Sequence, residues 1–197
     1  TAFCAATVLL GFGLPTLVLL AYAWRYFDPA LAMEILGYAG NSVQLSALAG
    51  VLAVLAAIVI AYSVRIKGGL LLKAVGRLAA FGYAVPGAVL AVGVLYCLGQ
   101  LDNGLDGVMR DRFGVSTGLL FSGTIAAVSF GYLVRFLGLS LGTVEAGLGK
   151  ITLGMDGASR SLGRGAAATM RLVHLPLMRG SVLTAGLLVF VDCMKEL

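Results

Sequence analysis

Asp192, Lys195 and Glu196 stand at helical intervals of three and four near the end of an apolar run. On a helix they project onto neighbouring faces. Asp192 lies about a dozen residues into that run, roughly 18 Å along a helix rising ~1.5 Å per residue. A charge at such depth in hydrocarbon is costly, so it faces a cavity, a partner charge or the outer interface. Two readings follow: an internal Asp192–Lys195 pair that does no more than neutralise itself, or a polar station on a cation route. Pro86, between Gly82 and Gly87, belongs with them, because a proline inside a span removes a backbone bond. The result is a kink, or a break whose freed carbonyl lines a pathway.

A second group carries a different chemistry. Residues 157–180, GASRSLGRGAAATMRLVHLPLMRG, hold Arg160, Arg164, Arg171, Arg179 and the chain's one histidine, His174, without an acid. Leu162, Met170 and Val173 offer apolar contacts among the arginines. Gly163 and Gly165 mark a break between two short helices, and Pro176 is expected to end the second. Such a segment is a helical knob for a protein partner, or an amphipathic strip resting on anionic lipid. His174 reads as a solvated or partner-facing residue.

The elements that position these groups are membrane spans. The chain is 60% hydrophobic and 12% charged, against roughly a quarter charged in a soluble domain. Apolar runs long enough to cross about 30 Å of hydrocarbon lie near 3–24, 42–64, 78–99 and 118–137, and a fifth starts near 181. The net charge of +5 is spread over loops between spans, which points to membrane orientation and away from nucleic acid. Loops 65–77 and 135–180 together carry ten bases and two acids, whereas 25–41 and 100–117 carry three bases and five acids. By the positive-inside rule the first pair is cytoplasmic. Tyr22, Trp24 and Tyr26 then fall at the outer interface. Ala49, Ala53, Ala57 and Ala61 form a small-residue stripe with Gly50, and Ala80, Ala84 and Ala88 repeat it with Gly87 and Ala91, so both runs are expected to pack closely.

The acids Asp102, Asp106 and Asp111 have no catalytic motif partner and read as a solvated outer loop. Cys4, Cys97 and Cys193 are far apart in apolar runs and read as packing thiols. No G-x-x-x-x-G-K-[ST] phosphate loop occurs, so ATP hydrolysis is not expected of this chain. A membrane-embedded enzyme or an ion-driven carrier is the competing class. The first would need converging acids, bases or metal ligands, the second several mid-membrane charges and inverted repeats.

The spacing of the basic segment resembles the cytoplasmic signature of binding-protein-dependent ABC transporter permeases, E-A-A, three residues, G, nine residues, I, one residue, L-P. Gly157, Ala158 and Ser159 stand at the E-A-A positions, Gly163 at the glycine, Val173 at the isoleucine, and Leu175 and Pro176 at the end. Asp156 stands just before the position where the signature has glutamate. Residues 41–65 and 78–95 look like the first two helices of the permease core, and 187–197 is similar to the fifth helix of ferric-iron-type permeases.

The resemblance implies an all-α, polytopic transmembrane helical bundle with a permease core of the MetI-like type, and a sixth helix expected after Leu197. It divides the chain into a first helix with an outer loop (1–40) and a core (41–197) carrying a coupling loop (138–180). It also implies a bacterial inner-membrane transport subunit that binds no cofactor, with ATP held by a cytoplasmic ATPase partner. The substrate, expected to be ferric iron, with thiamine, polyamine, phosphonate or sulfate as alternatives, comes from an external binding protein. A second permease half, fused or separate, completes the path. In that scheme the ATPase docks on the loop formed by Gly157, Ala158, Ser159, Arg160, Leu162, Gly163, Arg164, Val173, Leu175 and Pro176.

Overall fold

Lipid offers no water to satisfy backbone groups, so a chain this apolar is driven to helices. The computed structural model of the protein describes residues 2–197, and no strand occurs among them. Contiguous turns group into α1 (Ala2–Arg25), α2 (Pro29–Lys67), α3 (Leu70–Ala84), α4 (Gly87–Phe113), α5 (Ile125–Gly149), α6 (Leu153–Ser161), α7 (Ala166–Leu177) and α8 (Arg179–Glu196). Four of them, α1, α2, α4 and α5, are long and apolar enough to cross a membrane. The bent pair α7–α8 can supply a fifth span.

The chain divides into two units, Thr1–Asn41 and Ser42–Leu197. In the first, α1 buries none of its side chains and is apolar all round, as a lipid-facing helix is. Tyr22 and Tyr26 stack at its end, with Arg25 over the Tyr26 ring. In the second unit α5 is central and packs along α3, α4 and α8. Ala49, Ala53, Ala57 and Ala61 of α2 are all buried, against Phe136, Val144 and Leu148 of α5 and Ala185 and Val189 of α8. The expected stripe thus packs as a stripe. The second one does not: Ala80, Ala84, Ala88 and Ala91 are exposed. Close approach between α3 and α5 comes from glycine. A Cβ on Gly82 would collide with the Val134 carbonyl, and one on Gly138 would lie 2.7 Å from Ala80 Cα.

Several boundaries differ from the sequence expectation. The run 78–99 is split at Val85-Pro86 between α3 and α4, because the residue before proline is driven to extended backbone and Val85 has ψ 132°. The run expected at 118–137 becomes helical only at Ile125 and continues to Gly149. Arg135 therefore sits inside α5 and not in a loop, and the loop expected from 138 begins at Lys150. The loop expected at 25–41 is helical from Pro29, and α4 continues to Phe113 through most of the loop expected at 100–117. Pro176 does not end its helix. It lies within α7, two residues beyond a π turn at Met170–His174, and Pro15 follows a similar turn at Leu9–Gly13. A π turn shifts the hydrogen-bond register, so the proline's missing N–H and its ring fall where the ladder is already displaced.

The tight α3–α5 crossing gives a direct test. Gly138→Ala is expected to lower stability by about 1–3 kcal/mol through overpacking. Gly142→Ala, whose added methyl meets nothing within 4 Å, should leave it nearly unchanged. Thermal unfolding of both variants in the same detergent provides the comparison.

Candidate functional site

The segment between α5 and α8 is built around one carboxylate. Asp156, in the first turn of α6, accepts from Arg65 Nε at 2.9 Å through Oδ2 and from His174 Nε2 at 2.6 Å through Oδ1. Arg65, at the end of α2, also donates through Nη1 to the Leu148 carbonyl at 2.7 Å and through Nη2 to the Ile151 carbonyl at 2.8 Å. The last carbonyls of a helix have no partner within it, so Arg65 closes the end of α5 while holding Asp156. Burial opposes ionisation of Asp156, but the hydrogen bonds from Arg65 and His174 outweigh it and hold its carboxyl below the usual carboxylate range.

Two further bonds complete the clamp. Ser159 and Thr169, both buried, share a hydroxyl bond of 2.8 Å between α6 and α7, and Tyr62 of α2 donates to the Ala166 carbonyl at 2.7 Å. The Tyr62 ring meets the His174 ring edge-on at 5.3 Å. His174 is fully buried, so its expected solvated or partner-facing role is corrected: its Nε2 donates to an ionised acceptor beneath the knob. Ser159 likewise faces inward.

The opposite face is free. Gly157, Ala158, Arg160, Leu162, Gly163 and Arg164 are exposed, Leu162 at 76%, and Arg160 and Arg164 form no ion pair among the described residues. The turn between α6 and α7 passes through Gly163 at φ +75°, a conformation glycine adopts without a Cβ penalty. Val173 and Leu175 are half-buried and Pro176 is exposed. After α7 the chain bends by 77° at Met178 into α8.

The second cluster lies at the α3–α4 break. Val85 has no following helical turn to take its carbonyl, and Arg135 Nη1 donates to it at 2.8 Å. Arg135 Nε and Nη2 both reach Glu196 Oε1, at 2.7 and 2.6 Å. The Pro86 break and Glu196 are thus brought together, through an arginine that its charge had assigned to a loop. The expected Asp192–Lys195 pair forms at 2.9 Å, with the lysine side chain 69% exposed. Beside Arg135 and Glu196, between α4 and α5, is a cavity of about 560 Å³ whose other walls include Leu90, Val94, Val128 and Tyr132.

Asp102 and Asp106 correct the expectation of a solvated outer loop. Asp102 is fully buried and accepts from the backbone N–H groups of Leu120, Phe121 and Ser122 at 2.7–3.2 Å. Asp106 accepts from Ser116, Thr117 and Gly118 and pairs with Arg110. The two acids fold residues 114–124 back along α4, and by engaging those N–H groups they delay the start of α5. Their four-residue spacing ahead of a Gly-Val-Ser-Thr-Gly turn was the available signal.

Among the described residues no group of three or more His, Cys, Asp or Glu could hold a metal ion. Cys193 is buried and Cys4 and Cys97 are exposed, all unpaired.

No family profile and no solved structure matches the chain. Over 201 aligned residues, 99% of the chain, it is 26% identical to the Fe(3+)-transport system permease protein FbpB 2 of Haemophilus influenzae, and it spans 36% of that relative's length. The all-helical architecture with its apolar spans fits an ABC-type permease, and along its whole length the chain resembles a ferric-iron transport permease.

Proposed function

We propose that this chain forms part of the membrane-spanning permease of an ATP-driven importer in the bacterial inner membrane, moving ferric iron delivered by an external binding protein. Hydrolysis belongs to a separate cytoplasmic ATPase that docks on the exposed face of α6 and the α6–α7 turn. The observation that carries this reading is the combination of a free outer face with a pinned inner one. A knob transmits force only if it does not fold away under load. Here Asp156, Ser159 and His174 tie α6 and α7 to each other and to α2.

Each exposed residue has a task in docking. Ala158 and Gly163 allow another backbone to approach closely, Leu162 fills an apolar pocket, and Arg160 and Arg164 pair with acids on the partner. Gly157, where the family signature carries glutamate, adds no polar contact. Val173, Leu175 and Pro176 belong to the arm that carries the push through the bend at Met178 into α8. A second permease half, fused or separate, supplies the other side of the path. Within the membrane the path runs by the Pro86 break and the charges of α8, Asp192, Lys195 and Glu196.

Docking is tested on the exposed turn. Gly163→Asp and Leu162→Ala are each expected to lower co-purification of the ATPase subunit and ATP-driven uptake together, by about tenfold or more if the contact is central to the interface. Unchanged association and uptake in both would remove the docking role.

Rigidity is tested separately. Because the Asp156 carboxyl is held below its ordinary value in the fold, its contribution to holding the loop is complete at neutral pH and is lost as pH falls through the lower folded value. Protection of the 153–177 amides against hydrogen exchange, corrected for intrinsic rates, should persist through the ordinary carboxylate range and fall only at more acid pH. Asp156→Asn should show reduced protection already at neutral pH, on the order of 3 kcal/mol for breaking a largely buried pair, with no further acid step. An identical acid profile in the variant would assign the effect elsewhere.

A further inference from the structure

We infer that Glu196 is a cation-accepting carboxylate of the translocation path, and that Arg135 occupies in this state the place a positively charged substrate takes when the pair opens. The inference rests on the permease reading above and names the substrate's charge and the atoms that meet it.

Three features place the pair within the membrane. Fourteen residues separate Arg135 from the end of α5 at Gly149, and fourteen separate Leu70 from Ala84 at the break, about 21 Å of rise in each case. Glu196 lies seventeen residues from the start of α8, about 26 Å. Three elements thus bring polar groups to a similar level inside roughly 30 Å of hydrocarbon, where an ionised side chain persists only with a partner. The walls of the adjoining cavity are otherwise mostly apolar, which strengthens attraction between the charges.

The two partners are not held alike. Arg135 has an anchor independent of Glu196, the Val85 carbonyl at 2.8 Å, and a Cβ on Gly87 would lie 3.1 Å from its Nη1. Its side chain is 18% exposed. Among the described residues Glu196 has no second anchor. Both guanidinium contacts fall on Oε1, Oε2 has no hydrogen bond among the described residues, and the side chain is 30% exposed beside the cavity. When the pair opens, the arginine stays on the break and the carboxylate is released.

A released carboxylate in this setting is costly unless another cation replaces the guanidinium. Opening and cation arrival are therefore coupled. Glu196 also lies on the helix that follows the 77° bend from the docking segment, so a push on the knob reaches the pair through α8.

The test uses the complete transporter in proteoliposomes with its ATPase and binding protein, and two cations as probes, Fe3+ presented to the binding protein as its nitrilotriacetate chelate, and spermidine. Glu196→Gln keeps an amide oxygen for Arg135 but removes the charge, and Arg135→Gln/Glu196→Gln removes both charges and leaves none unpaired. If Glu196 serves as the cation acceptor, uptake falls at least about tenfold in both variants, while ATPase association is retained. Loss for the ferric probe alone identifies a metal ion, and loss for spermidine alone an organic ammonium. If the pair is only a structural latch, the double variant regains uptake to within about twofold of the unaltered protein, and that result overturns the proposal. So does transport of neither cation by the unaltered protein. Whether unaltered uptake needs ATP bears on the importer reading alone, and the variant comparison bears on Glu196 alone.

Discussion

The bridge that Asp156 makes between Arg65 and His174 is the contact on which the arrangement of this protein's polar end depends. One carboxylate meets a guanidinium from α2 and an imidazole from α7, while the same guanidinium caps the carbonyls that end α5. Four segments, three of which also share the apolar cluster of Ala61, Leu148 and Met170, are held by charge-assisted bonds of 2.6–2.9 Å, the strong class of hydrogen bond. The charges are neutralised locally. Removing Asp156 leaves the Arg65 guanidinium without its counter-charge at a site that is mostly buried, which is far costlier than replacing the pair together. The basic segment can therefore be polar, glycine-broken and outside the apolar core, yet keep one shape.

A parallel constraint operates inside the apolar unit. Splitting a helix in lipid leaves carbonyls that water cannot reach, and the Val85-Pro86 break exists because Arg135 meets the freed oxygen. The guanidinium brings its own charge into the span, and Glu196 cancels it. Each polar group is thus explained by the one before it: proline requires the arginine, and the arginine requires the glutamate. Lysine could supply the charge but not the geometry, because a planar guanidinium spans the carbonyl and the carboxylate at once.

What was legible in the sequence was what periodicity and composition encode. The Ala49–Ala61 stripe is buried residue for residue, the Gly163 break falls between two short helices, and the apolar runs become helices. Apart from Asp192–Lys195, the pairings were not legible, because they join different elements. Arg65 reaches Asp156 across ninety-one residues and Arg135 reaches Glu196 across sixty-one. Neither pattern nor spacing records which arginine of many will be used. Hydropathy also counted Arg135 as a loop residue and His174 as solvated, since a charged or titratable side chain reads as exposed until its partner is known. Moving Arg135 into α5 leaves the loops on its side still strongly basic, so the orientation drawn from charge does not depend on that error. The Ala80–Ala88 stripe failed for a different reason: Gly82 and Gly138 already let backbone meet backbone, and the alanines were left facing outward.

The two polar clusters are joined by a single element. α7 carries His174 on the clamp, bends at Met178, and continues as α8 to Glu196. Met178 is itself buried in the core formed by α2, α5 and α8, so the bend is packed and does not act as a free hinge. A helix of eighteen residues is about 27 Å long, and over that length its backbone bonds resist stretching far better than side-chain packing resists sliding. In the proposed coupling, force applied at the knob would reach Glu196 as displacement of α8 against α5. The contact least able to absorb such displacement is the Arg135–Glu196 pair, because charge-assisted bonds weaken steeply with distance and angle while the apolar surfaces around them slide at little cost. With a rigid clamp at one end and a distance-sensitive ion pair at the other, α8 has the form that the proposed coupling requires, a lever with a defined point of release.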